Sequence, residues 1–349
     1  MKLDDLLKQT NEWLKETGPE CEIVMSSRVR YARNLKGIPF SHWAGTKQRK
    51  KVLSIIEPVL LRNSCLKNSL FLKMDEVNAV DKQFLVERHL ISRELASGNS
   101  SKAVNISEKE IFSLMINEED HLRSQVMQSG FNLNEAFRLI EKLDLELEKS
   151  FDFAYDRRWG YLTACPTNVG TGMRASVMLH LPALVMTKRV RRILESITKL
   201  NLAVRGLYGE GSEAAGNFFQ ISNQVTLGRS ERELIDGITR IIKQIINYEQ
   251  KARDFLFEDS KKQLEDKIFR AYGILTNARI ISSKETIDLL SLARLGINLN
   301  ILPGINIKTV NELFILIQPA HIQKIEGRVL DIEERDFKRA QLVRKKLKA

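Results

Sequence analysis

The chain has few cysteines, and their arrangement excludes two kinds of structural framework. Its 349 residues include three cysteines, Cys21, Cys65 and Cys165, which lie far apart in the sequence. An odd number of widely spaced cysteines supports neither a disulfide framework nor the paired spacing of a zinc site. We therefore expect a protein of a reducing compartment, the cytoplasm.

Long hydrophobic runs are also missing. No apolar stretch approaches the ~18 residues that a membrane-spanning helix needs. The N-terminal sequence MKLDDLLKQTNEWLKETG is amphipathic and acidic, unlike a signal peptide. With 43% hydrophobic and 28% charged residues, the composition is that of a soluble globular protein. The length favours two domains.

Two common nucleotide-binding motifs are absent or misplaced. The chain contains no GxxxxGK[ST] sequence, which excludes a P-loop. Residues 209–214, GEGSEA, match a GxGxxA pattern, but that pattern must open a helix, and the following FFQI is typical of a strand. A glycine-rich loop that carries Glu210 and follows Arg205 is the better description. A simple hairpin loop with a solvated acid is the alternative.

The net charge is strongly positive. A formal charge of +11 and a pI near 9.5 call for an anionic partner, which could be nucleic acid, a phosphorylated ligand or a membrane surface. Much of the excess is arginine clustered at a few places. Arginine is favoured where a planar fork grips an oxoanion.

The pattern of apolar residues changes near residue 258. Strand-like and helical stretches alternate before this point, and helical periods with cap signals dominate after it. We predict strands at 22–25, 69–73, 103–106, 111–116, 160–165, 202–207 and 218–225, and helices at 3–17, 46–63, 81–96, 132–149, 173–200 and 230–258. The prediction is an α+β domain over residues 1–258, followed by a small helical domain over residues 259–349.

Two arginines and three acids stand out in the first domain. In SSRVRYARN, residues 26–34, Arg28 and Arg30 point to the same side of an extended chain, where their charges repel unless an anion lies between them. In NEEDHLR, residues 117–123, the acids follow a strand-like run. Arg123 lies within i,i+4 reach of Glu119 if the chain turns helical there. The alternatives are a solvated edge strand and a solvated corner with a local ion pair.

A third stretch joins a cysteine to a turn-rich loop. In CPTNVGTGMRASV the predicted strand ends at Cys165, and the loop leads to Arg174 at the start of the predicted helix 173–200. Loop N–H groups and a helix N-terminus favour an anion. Cys165 could be an activated thiolate, and a buried structural cysteine is the alternative.

These features fit one kind of chemistry. The acids need a cationic ligand and the arginines an anionic one, and phosphoryl transfer from ATP to a guanidinium group supplies both. Arginine nitrogen is a poor nucleophile because its pKa exceeds about 12. Carboxylates can hold it in line and accept its proton, while arginines and Mg²⁺ spread the charge of the transferred phosphoryl group.

Four blocks in order across residues 26–223, namely SSRVRYARN, NEEDHLR, CPTNVGTGMRASV and RGLYGEGSEAAGNFFQISN, resemble the phosphagen (guanidino) kinases. The resemblance implies an antiparallel sheet flanked by helices, with ATP and Mg²⁺. It assigns the guanidinium clamp to Glu119 and Glu210, the reactive thiol to Cys165, and supporting or Mg²⁺–water roles to Glu118 and Asp120. It assigns the phosphates to Arg28, Arg30, Arg123, Arg174 and Arg205. The remaining implied nucleotide-site residues are Ser27, Val29, Tyr31, His89, Gly206, Leu207, Tyr208, Gly209 and Glu210, together with Ala175, Ser176, Val177 and Met178, which contribute through the backbone of residues 174–178.

The chain also departs from the small-molecule members of this family. Those members carry a helical domain of about a hundred residues before the catalytic domain, whereas about 20 residues precede SSRVR here and the helical domain follows. An open site would admit an arginine within a polypeptide, so the chain resembles the branch that phosphorylates arginine in proteins. The tail sequence RDFKRA is similar to the RDxxRA motif of that branch. The resemblance implies an allosteric phosphoarginine pocket built from Arg335, Asp336, Arg339 and Ala340, and a solvated basic helix end is the alternative.

The same resemblance implies partners and a role. Members of this branch mark proteins for a Clp ATPase/protease, inactivate the stress repressor CtsR and work with an activator protein in protein quality control. We expect a homodimer or higher oligomer and no membrane partner. Two other functions stay open: a kinase for a free guanidino metabolite such as arginine, and a non-catalytic adaptor that binds phosphoarginine or DNA.

Overall fold

The computed structural model describes residues 2–97, 101–206 and 215–348 of the chain. Its strands are β1 (Val24–Arg33), β2 (Leu70–Lys73), β3 (Ala103–Ile106), β4 (Phe112–Ile116), β5 (Leu122–Ser129), β6 (Tyr155–Asp156), β7 (Gly160–Tyr161), β8 (Met173–His180), β9 (Leu202–Gly206) and β10 (Phe218–Asn223). Eight of them form a sheet in the order β2-β3-β4-β5-β1-β8-β10-β9, and β6 and β7 form a separate hairpin. Neighbouring strands of the large sheet run antiparallel.

Helices flank this sheet, and five more helices follow it in the described part of the sequence. Those of the first part are α1 (Asp5–Lys8), α2 (Thr46–Arg62), α3 (Ala79–Glu87), α4 (Arg93–Ala96), α5 (Leu133–Glu148), α6 (Pro182–Met186), α7 (Val190–Thr198) and α8 (Glu231–Asp259). Those that follow are α9 (Lys261–Asn277), α10 (Ser283–Asn298), α11 (Ile307–Leu316), α12 (Pro319–Glu326) and α13 (Ile332–Lys348). The predicted fold class, an antiparallel sheet with helices and a helical region after it, is confirmed.

Amphipathic helices cover one face of the sheet. Helix α5 buries Leu133, Phe137, Ile140 and Leu147, an apolar stripe at helical spacing, against β1 and β5. Helix α8 begins with a capping box, in which Ser230 and Glu233 satisfy each other's backbone N–H groups. It packs on β8 and β10 beside α5. The opposite face of β1 and β8 is not covered by α5 or α8.

The C-terminal helices share their apolar core with the sheet domain. The rings of Phe218 on β10 and Phe314 on α11 meet edge to face, with their centroids 4.9 Å apart. One cluster of buried side chains contains residues of both parts. The predicted boundary near residue 258 falls in the last turn of α8 and stays a prediction about domains.

The largest error of the sequence prediction concerns the predicted helix 173–200. Residues Met173–His180 form the strand β8, which lies between β1 and β10 near the centre of the sheet. A strand covered on both faces reads as a nearly continuous apolar run, and periodicity does not separate it from a buried helix. Two short helices, α6 and α7, follow, and Lys188 between them has a left-handed φ of 58°.

Two other predicted helices are broken in the structure. The predicted helix 3–17 is reduced to α1 and a single 3₁₀ turn at Glu12–Leu14. The predicted helix 81–96 is divided into α3 and α4, and His89 between them has a φ of 60°. The predicted strand 160–165 shrinks to β7. Among the described residues, no helix combines the length and apolarity needed to cross a membrane.

Candidate active site

A cavity of about 880 Å³ lies against the face of the sheet that α5 and α8 do not cover. Strands β1, β8, β9 and β10 form its floor, and the α3–α4 connection and the C-terminal helices form its walls. Its lining includes Ser26, Arg28, Arg30, His89, Glu118, Ser176, Met178, Arg205 and Gln220. Positive side chains therefore converge on one concave surface.

The alternation of β1 aims two arginines at this cavity. Arg28 and Arg30 line it, whereas Val29 between them is fully buried on the helix side of the sheet. Arg30 lies opposite Arg174 of β8 and Gln125 of β5. Like charges directly opposite each other destabilise a sheet, so the register itself indicates that an anion belongs here.

The electrostatics of these arginines support the same conclusion. Burial, and then the nearby charge of Arg123, lowers the pKa of Arg28 to about 10. Burial together with Arg28, Arg123 and Arg174 lowers the pKa of Arg30. Among the described residues, the buried Nε atoms of Arg28 and Arg30 have no hydrogen-bond partner. Phosphate oxygens would satisfy these donors and neutralise the repulsion, so the residues present fit the triphosphate of ATP.

A hydrogen-bond relay ties Arg28 to the α3–α4 connection. The Arg28 guanidinium donates to Gln125 Oε1, and Gln125 Nε2 donates to the backbone carbonyl of His89 at 2.7 Å. The His89 ring meets Trp13 edge to face, with ring centroids 5.5 Å apart. Burial, and then the charge of Arg28, lowers the pKa of His89 to about 4. His89 is therefore a neutral part of the cavity wall near pH 7.

Glu118 and Glu119, two acids of the turn between β4 and β5, have different surroundings. Glu118 is buried and forms a 2.7 Å ion pair with Arg123, while Glu119 lies 3.5 Å from the same Arg123 nitrogen and keeps 31% of its side-chain surface exposed. Burial opposes ionisation of Glu118, but the charge of Arg123 and the hydrogen bonds to the carboxylate together outweigh burial and lower the pKa of Glu118. Burial raises the pKa of Glu119 despite Arg123. Glu118 is thus a fixed anion, and Glu119 is the accessible carboxylate with the character of a general base.

Arg123 reaches these acids without the helical turn that the spacing suggested. It is the second residue of β5, and the hairpin between β4 and β5 folds it back over the acids. Burial disfavours its charged form, but the charge and hydrogen bond of Glu118, together with the charges of Glu119 and Asp120, outweigh burial and raise the pKa of Arg123. Arg123 is therefore held by Glu118 as a cation.

Asp120 joins the acidic turn to the loop of Cys165. Its Oδ1 accepts from Asn34 Nδ2 and from the backbone N–H of Ala164, both at 2.7 Å. Burial raises the pKa of Asp120, against those two hydrogen bonds. Cys165, the next residue after Ala164, is half-buried, and its Sγ lies 3.0 Å from Thr167 Oγ1. The hydrogen bond between Asp120 and Ala164 thereby joins the immediate neighbours of Glu119 and Cys165, the two predicted catalytic positions.

Several residues that the resemblance assigned to the nucleotide lie on the other face of the sheet. Ser27 is fully buried; its hydroxyl donates to Gly130 O at 2.8 Å and accepts from Asn132 N–H at 3.0 Å. Its side chain is therefore engaged away from the cavity, and the neighbouring Ser26 occupies the wall instead. The buried side chains of Val29, Tyr31, Ala175 and Val177 also belong to the core under the helices.

The other predicted nucleotide residues are distributed as follows. Ser176 and Met178 line the cavity, and Arg205 lies on β9, where Gly206 is the last residue of the strand. Arg174 is a strand residue, so the anion site that was expected at a helix N-terminus is built instead on strand register. Leu207, Tyr208, Gly209 and Glu210 lie outside the described residues, and their assigned roles stay predictions.

Sequence reasoning missed the part of the wall that comes from the C-terminal helices. Ser283, Lys284 and Ile287 of α10 line the cavity, as do Gln318 and Pro319 at the start of α12. These residues are distant in sequence from the other blocks, so neither spacing nor motif could indicate them. Ser26, by contrast, could have been found, because it shares the two-residue alternation of Arg28 and Arg30.

The RDxxRA segment lies on α13, and its two arginines differ in their surroundings. Arg339 is 1% exposed and donates to Ile317 O at 2.7 Å, to Ile281 O at 2.9 Å and to Asp336. Arg335 is half-buried and donates to Leu330 O at 3.1 Å. Ala340 is buried. The guanidinium of Arg339 thus holds two carbonyl groups, Arg335 is the more accessible of the two arginines, and the phosphoarginine pocket stays a prediction.

No group of three or more His, Cys, Asp or Glu residues that could hold a metal occurs among the described residues. Mg²⁺ usually enters kinase sites with the nucleotide phosphates and needs one or two carboxylates and water from the protein. The buried Glu118 in the cavity wall is a carboxylate of that kind. The acidic turn therefore offers a carboxylate that fits the Mg²⁺ of Mg-ATP.

Comparison with known proteins gives similarities along the whole chain. A family model described as "ATP:guanido phosphotransferase, C-terminal catalytic domain" matches residues 51–252, and one described as "Protein-arginine kinase McsB C-terminal domain" matches residues 261–349. A protein-arginine kinase of Moorella thermoacetica is 47% identical over 344 residues, covering 98% of each chain. One of Halalkalibacterium halodurans is 49% identical over 337 residues, covering 96% of this chain and 95% of that one.

Solved structures resemble about seven-tenths of the chain. A taurocyamine kinase from Schistosoma mansoni with bound components of a transition-state analogue has a TM-score of 0.61 and 28% identity. The match covers 72% of this chain and 36% of that duplicated one. A lombricine kinase structure has a TM-score of 0.59 and 25% identity, covering 71% of this chain and 75% of that one.

Proposed function

The chain belongs to the ATP:guanido phosphotransferase family, and from this premise we propose that it is a protein-arginine kinase that transfers the γ-phosphoryl group of ATP to arginine side chains of proteins. One observation carries the proposal. A partly exposed carboxylate with a raised pKa, Glu119, lies beside a half-buried cation, Arg123, and next in sequence to Glu118, which lines the arginine-rich cavity.

Each residue has a place in this chemistry. Arg28, Arg30 and Arg205 bind the phosphates and stabilise the negative charge that develops on the transferred group and on ADP. Glu119 binds the substrate guanidinium and accepts the proton that the attacking nitrogen loses as its bond to phosphorus forms and the bond from phosphorus to ADP breaks. Glu118 orients Arg123, which in turn fixes Glu119. Glu210 completes the clamp in this proposal, as the family pattern implies.

The wider role is also a proposal. The relatives named protein-arginine kinase support the phosphorylation of arginine. The family resemblance implies the rest of the proposal, which is a function in protein quality control and the stress response, in the cytoplasm, with Mg-ATP as phosphoryl donor. The partners that this role implies are unfolded proteins with accessible arginines, the repressor CtsR, a Clp ATPase/protease, an activator protein and a second copy of the chain. In this role the RDxxRA segment regulates the enzyme by binding phosphoarginine, with Arg335 as its accessible cation.

The test is phosphorylation of an unfolded, arginine-rich protein by the purified chain with Mg-ATP. The label is expected on arginine and is expected to hydrolyse in acid, as a phosphoramidate does and a phosphoserine ester does not. Glu119→Ala and Glu210→Ala should abolish transfer and spare ATP binding. Glu76→Ala, which removes an exposed acid of a 3₁₀ turn, is the matched control and should change neither.

Two outcomes would replace the proposal. ATP consumption with free arginine and no label on protein would establish a kinase for a free guanidino metabolite. ATP binding without turnover on either acceptor would establish a non-catalytic adaptor. Full transferase activity in Glu119→Ala would show that the role given to this carboxylate is wrong.

A further inference from the structure

Residues 34–49 are fastened at several points to the turn that holds Glu119. The backbone N–H of Leu35 donates to His121 Nδ1 at 3.0 Å, and His121 Nε2 lies 2.8 Å from Pro39 O. Burial lowers the pKa of His121, so its neutral ring accepts from Leu35 and donates to Pro39. Asn117 Nδ2 donates to Arg49 O at 2.9 Å. The chain between Pro39 and Arg49 is therefore held next to the acidic turn.

An exposed aromatic group stands at the middle of this segment. Trp43 is 78% exposed, the highest value among the exposed large hydrophobic side chains that the structure describes. Its ring meets that of His42 edge to face at 5.4 Å, and His42 stacks with Phe40 at 6.4 Å. The neighbouring Ser41 and Ala44 are buried and fix the loop. An indole presented to solvent on a fastened loop is typical of a binding anchor.

The surface next to Trp43 is positively charged where helix α2 begins. Lys47, Lys50 and Lys51 are exposed on its first turns, and residues 34–56 contain no Asp or Glu. The neighbouring turn has the opposite charge, with Glu118, Glu119 and Asp120 in a row. The rim of the candidate site therefore changes sign between the acidic turn and helix α2.

We propose that Trp43 and the lysines of α2 form the docking surface for the polypeptide that carries the acceptor arginine. This inference rests on the proposed protein-kinase function and adds a substrate preference to it. The arginine enters at Glu119, an apolar or aromatic side chain of the substrate packs on Trp43, and an acidic side chain pairs with Lys47 or Lys50. Chain length limits the Cα of Trp43 to about 14 Å from that of Pro39, a span that about four extended residues cover. The apolar side chain is therefore expected within about four residues of the arginine, with the acid beyond it.

Charge decides between two classes of ligand for this surface. Aromatic and basic side chains together also suit single-stranded nucleic acid. A nucleic acid on Trp43 would, however, bring its phosphates toward the acidic turn that holds Glu118 and Asp120, and like charges would repel. A polypeptide with an arginine and an acid matches both signs.

The experiment compares acceptor peptides with single-site variants of the full chain. The long peptide has 12 residues, one arginine, a leucine four residues away and a glutamate beyond the leucine. The second peptide replaces the glutamate by glutamine, and the third is acetyl-Gly-Arg-Gly-amide. Trp43→Ala should lower kcat/KM for the long peptide about tenfold, mainly through KM, because truncating an aromatic anchor costs this much. It should leave the short peptide and the KM for ATP unchanged.

The charge variant tests the second half of the proposal. Lys47→Glu with Lys50→Glu should abolish the preference for the glutamate peptide over the glutamine peptide. Phe269→Ala, which removes an aromatic ring 52% exposed on α9, and Lys262→Glu with Lys267→Glu on the same helix are matched controls. Both controls should behave as the unmodified chain.

Binding gives a readout that needs no turnover. Fluorescence anisotropy of the labelled long peptide, with lysine in place of its arginine, should show weaker binding to Trp43→Ala than to the unmodified chain. Equal kinetics and equal binding in the two would overturn the docking surface. Displacement of the peptide by a 12-nucleotide oligo-dT, with oligo-dT binding lost in Trp43→Ala, would overturn it in favour of nucleic acid. Trp43-dependent peptide binding without phosphorylation of any arginine acceptor would instead overturn the protein-kinase function and leave the surface standing.

Discussion

The carboxylate of Asp288 on α10 accepts a hydrogen bond of 2.9 Å from the backbone N–H of Gly216. Asn217 Nδ2 donates to Ser291 Oγ of the same helix at 2.9 Å. Residues 215–217 follow directly on the part of the chain that contains Glu210, and β10 begins at Phe218. A helix of the C-terminal region therefore fixes the point at which that segment returns to the sheet.

Replacement of Asp288 by alanine should reduce phosphoryl transfer more than it reduces ATP binding. The Gly216 N–H loses its acceptor, and small misplacements near a reacting group cost rate; we expect kcat to fall by about tenfold to a hundredfold. Asp288→Asn keeps an acceptor oxygen and should restore most of the rate. Asp254→Ala, at an exposed position of α8, is the control. Equal rates for the asparagine and alanine variants would show that the hydrogen bond does not position the site.

Gly216 also requires its lack of a side chain. Its φ is 63°, and a Cβ at this position would lie 2.6 Å from Ile287 Cγ2. We expect Gly216→Ala to lower the free energy of unfolding by about 1–3 kcal/mol through overpacking and backbone strain. Gly228→Ala separates the two causes, because Gly228 has a φ of 75° and nothing within 4 Å of the added atom.

A double-mutant cycle measures the steric part. Ile287→Ala removes the methyl group that the new Cβ would meet, so the double variant should lose less stability than the sum of the single variants, by about 0.5 kcal/mol or more. Chemical denaturation gives all four free energies. Strict additivity would mean that the close approach of Gly216 and Ile287 carries no steric cost.

The sequence was sufficient to predict which strand residues face the site, but it did not predict most of the residues that form the walls around it. Arg28 and Arg30 could be placed on one side because a strand repeats every two residues, and the acids could be placed at a strand end. The same alternation places the side chain of Ser26, and not that of Ser27, on the cavity side of β1. The contacts of Asp288 with Gly216 join residues 72 positions apart, and no local pattern encodes such a pair.

The strand β8 shows a different limit. Its residues Met173–His180 are mostly buried on both faces, so the polar–apolar alternation that identifies a strand is weak. Pro182 starts a short helix two residues later, and the sequence pattern merged the two elements. Because of this error, the prediction placed Arg174 at a helix N-terminus, whereas the structure places it in a strand opposite Arg30.

Removal of Asp144 should destabilise the fold without touching the cavity. Arg33 donates to Asp144 Oδ2 through Nη2 at 2.6 Å and through Nε at 3.1 Å, and both side chains are more than nine-tenths buried. Alanine leaves an unpaired buried guanidinium, so we expect a loss of about 3–5 kcal/mol in the free energy of unfolding. Glu135→Ala breaks the exposed pair with Arg138 and should leave the denaturation midpoint nearly unchanged. Similar losses in the two variants would contradict the role of burial.

The buried His180 should make the fold less stable in acid. Its Nδ1 accepts from Arg294 Nη1 at 2.9 Å, and its Nε2 lies 2.8 Å from Ser291 Oγ. Burial, and then the charges of Arg294 and Arg253, lowers its pKa well below the usual value of about 6.5. The unfolded chain therefore binds a proton that the folded chain does not. Stability is fully present above about pH 6.5 and falls as the pH drops, by up to about 1.4 kcal/mol per pH unit for one proton.

Urea unfolding between pH 8 and pH 5 checks this sign. His180→Gln keeps an acceptor for Arg294 and removes the titration, so its stability should fall less steeply below pH 6.5. The remaining slope would come from other histidines with lowered pKa values, His89, His121 and His321. His42→Gln, at an exposed position, is the control and should keep the full slope. An unchanged slope in His180→Gln would show that His180 is not the proton-linked group.

Arg339 should affect ATP binding although it lies on α13, outside the cavity wall. The two carbonyls that it binds, Ile281 O and Ile317 O, each stand directly before a segment of that wall, the start of α10 with Lys284 and the start of α12 with Gln318. A lysine cannot reproduce the planar fork that spans both carbonyls. Arg339→Lys should therefore lower stability and weaken ATP binding severalfold, as measured by calorimetry.

Arg335→Lys keeps both carbonyl contacts of Arg339 and should weaken only the binding of phosphoarginine. Unchanged ATP binding in Arg339→Lys would mean that the RDxxRA segment and the nucleotide wall are independent. Loss of both ATP binding and phosphoarginine binding in Arg339→Lys would identify Arg339 as the residue that couples this motif to the arginine-lined cavity.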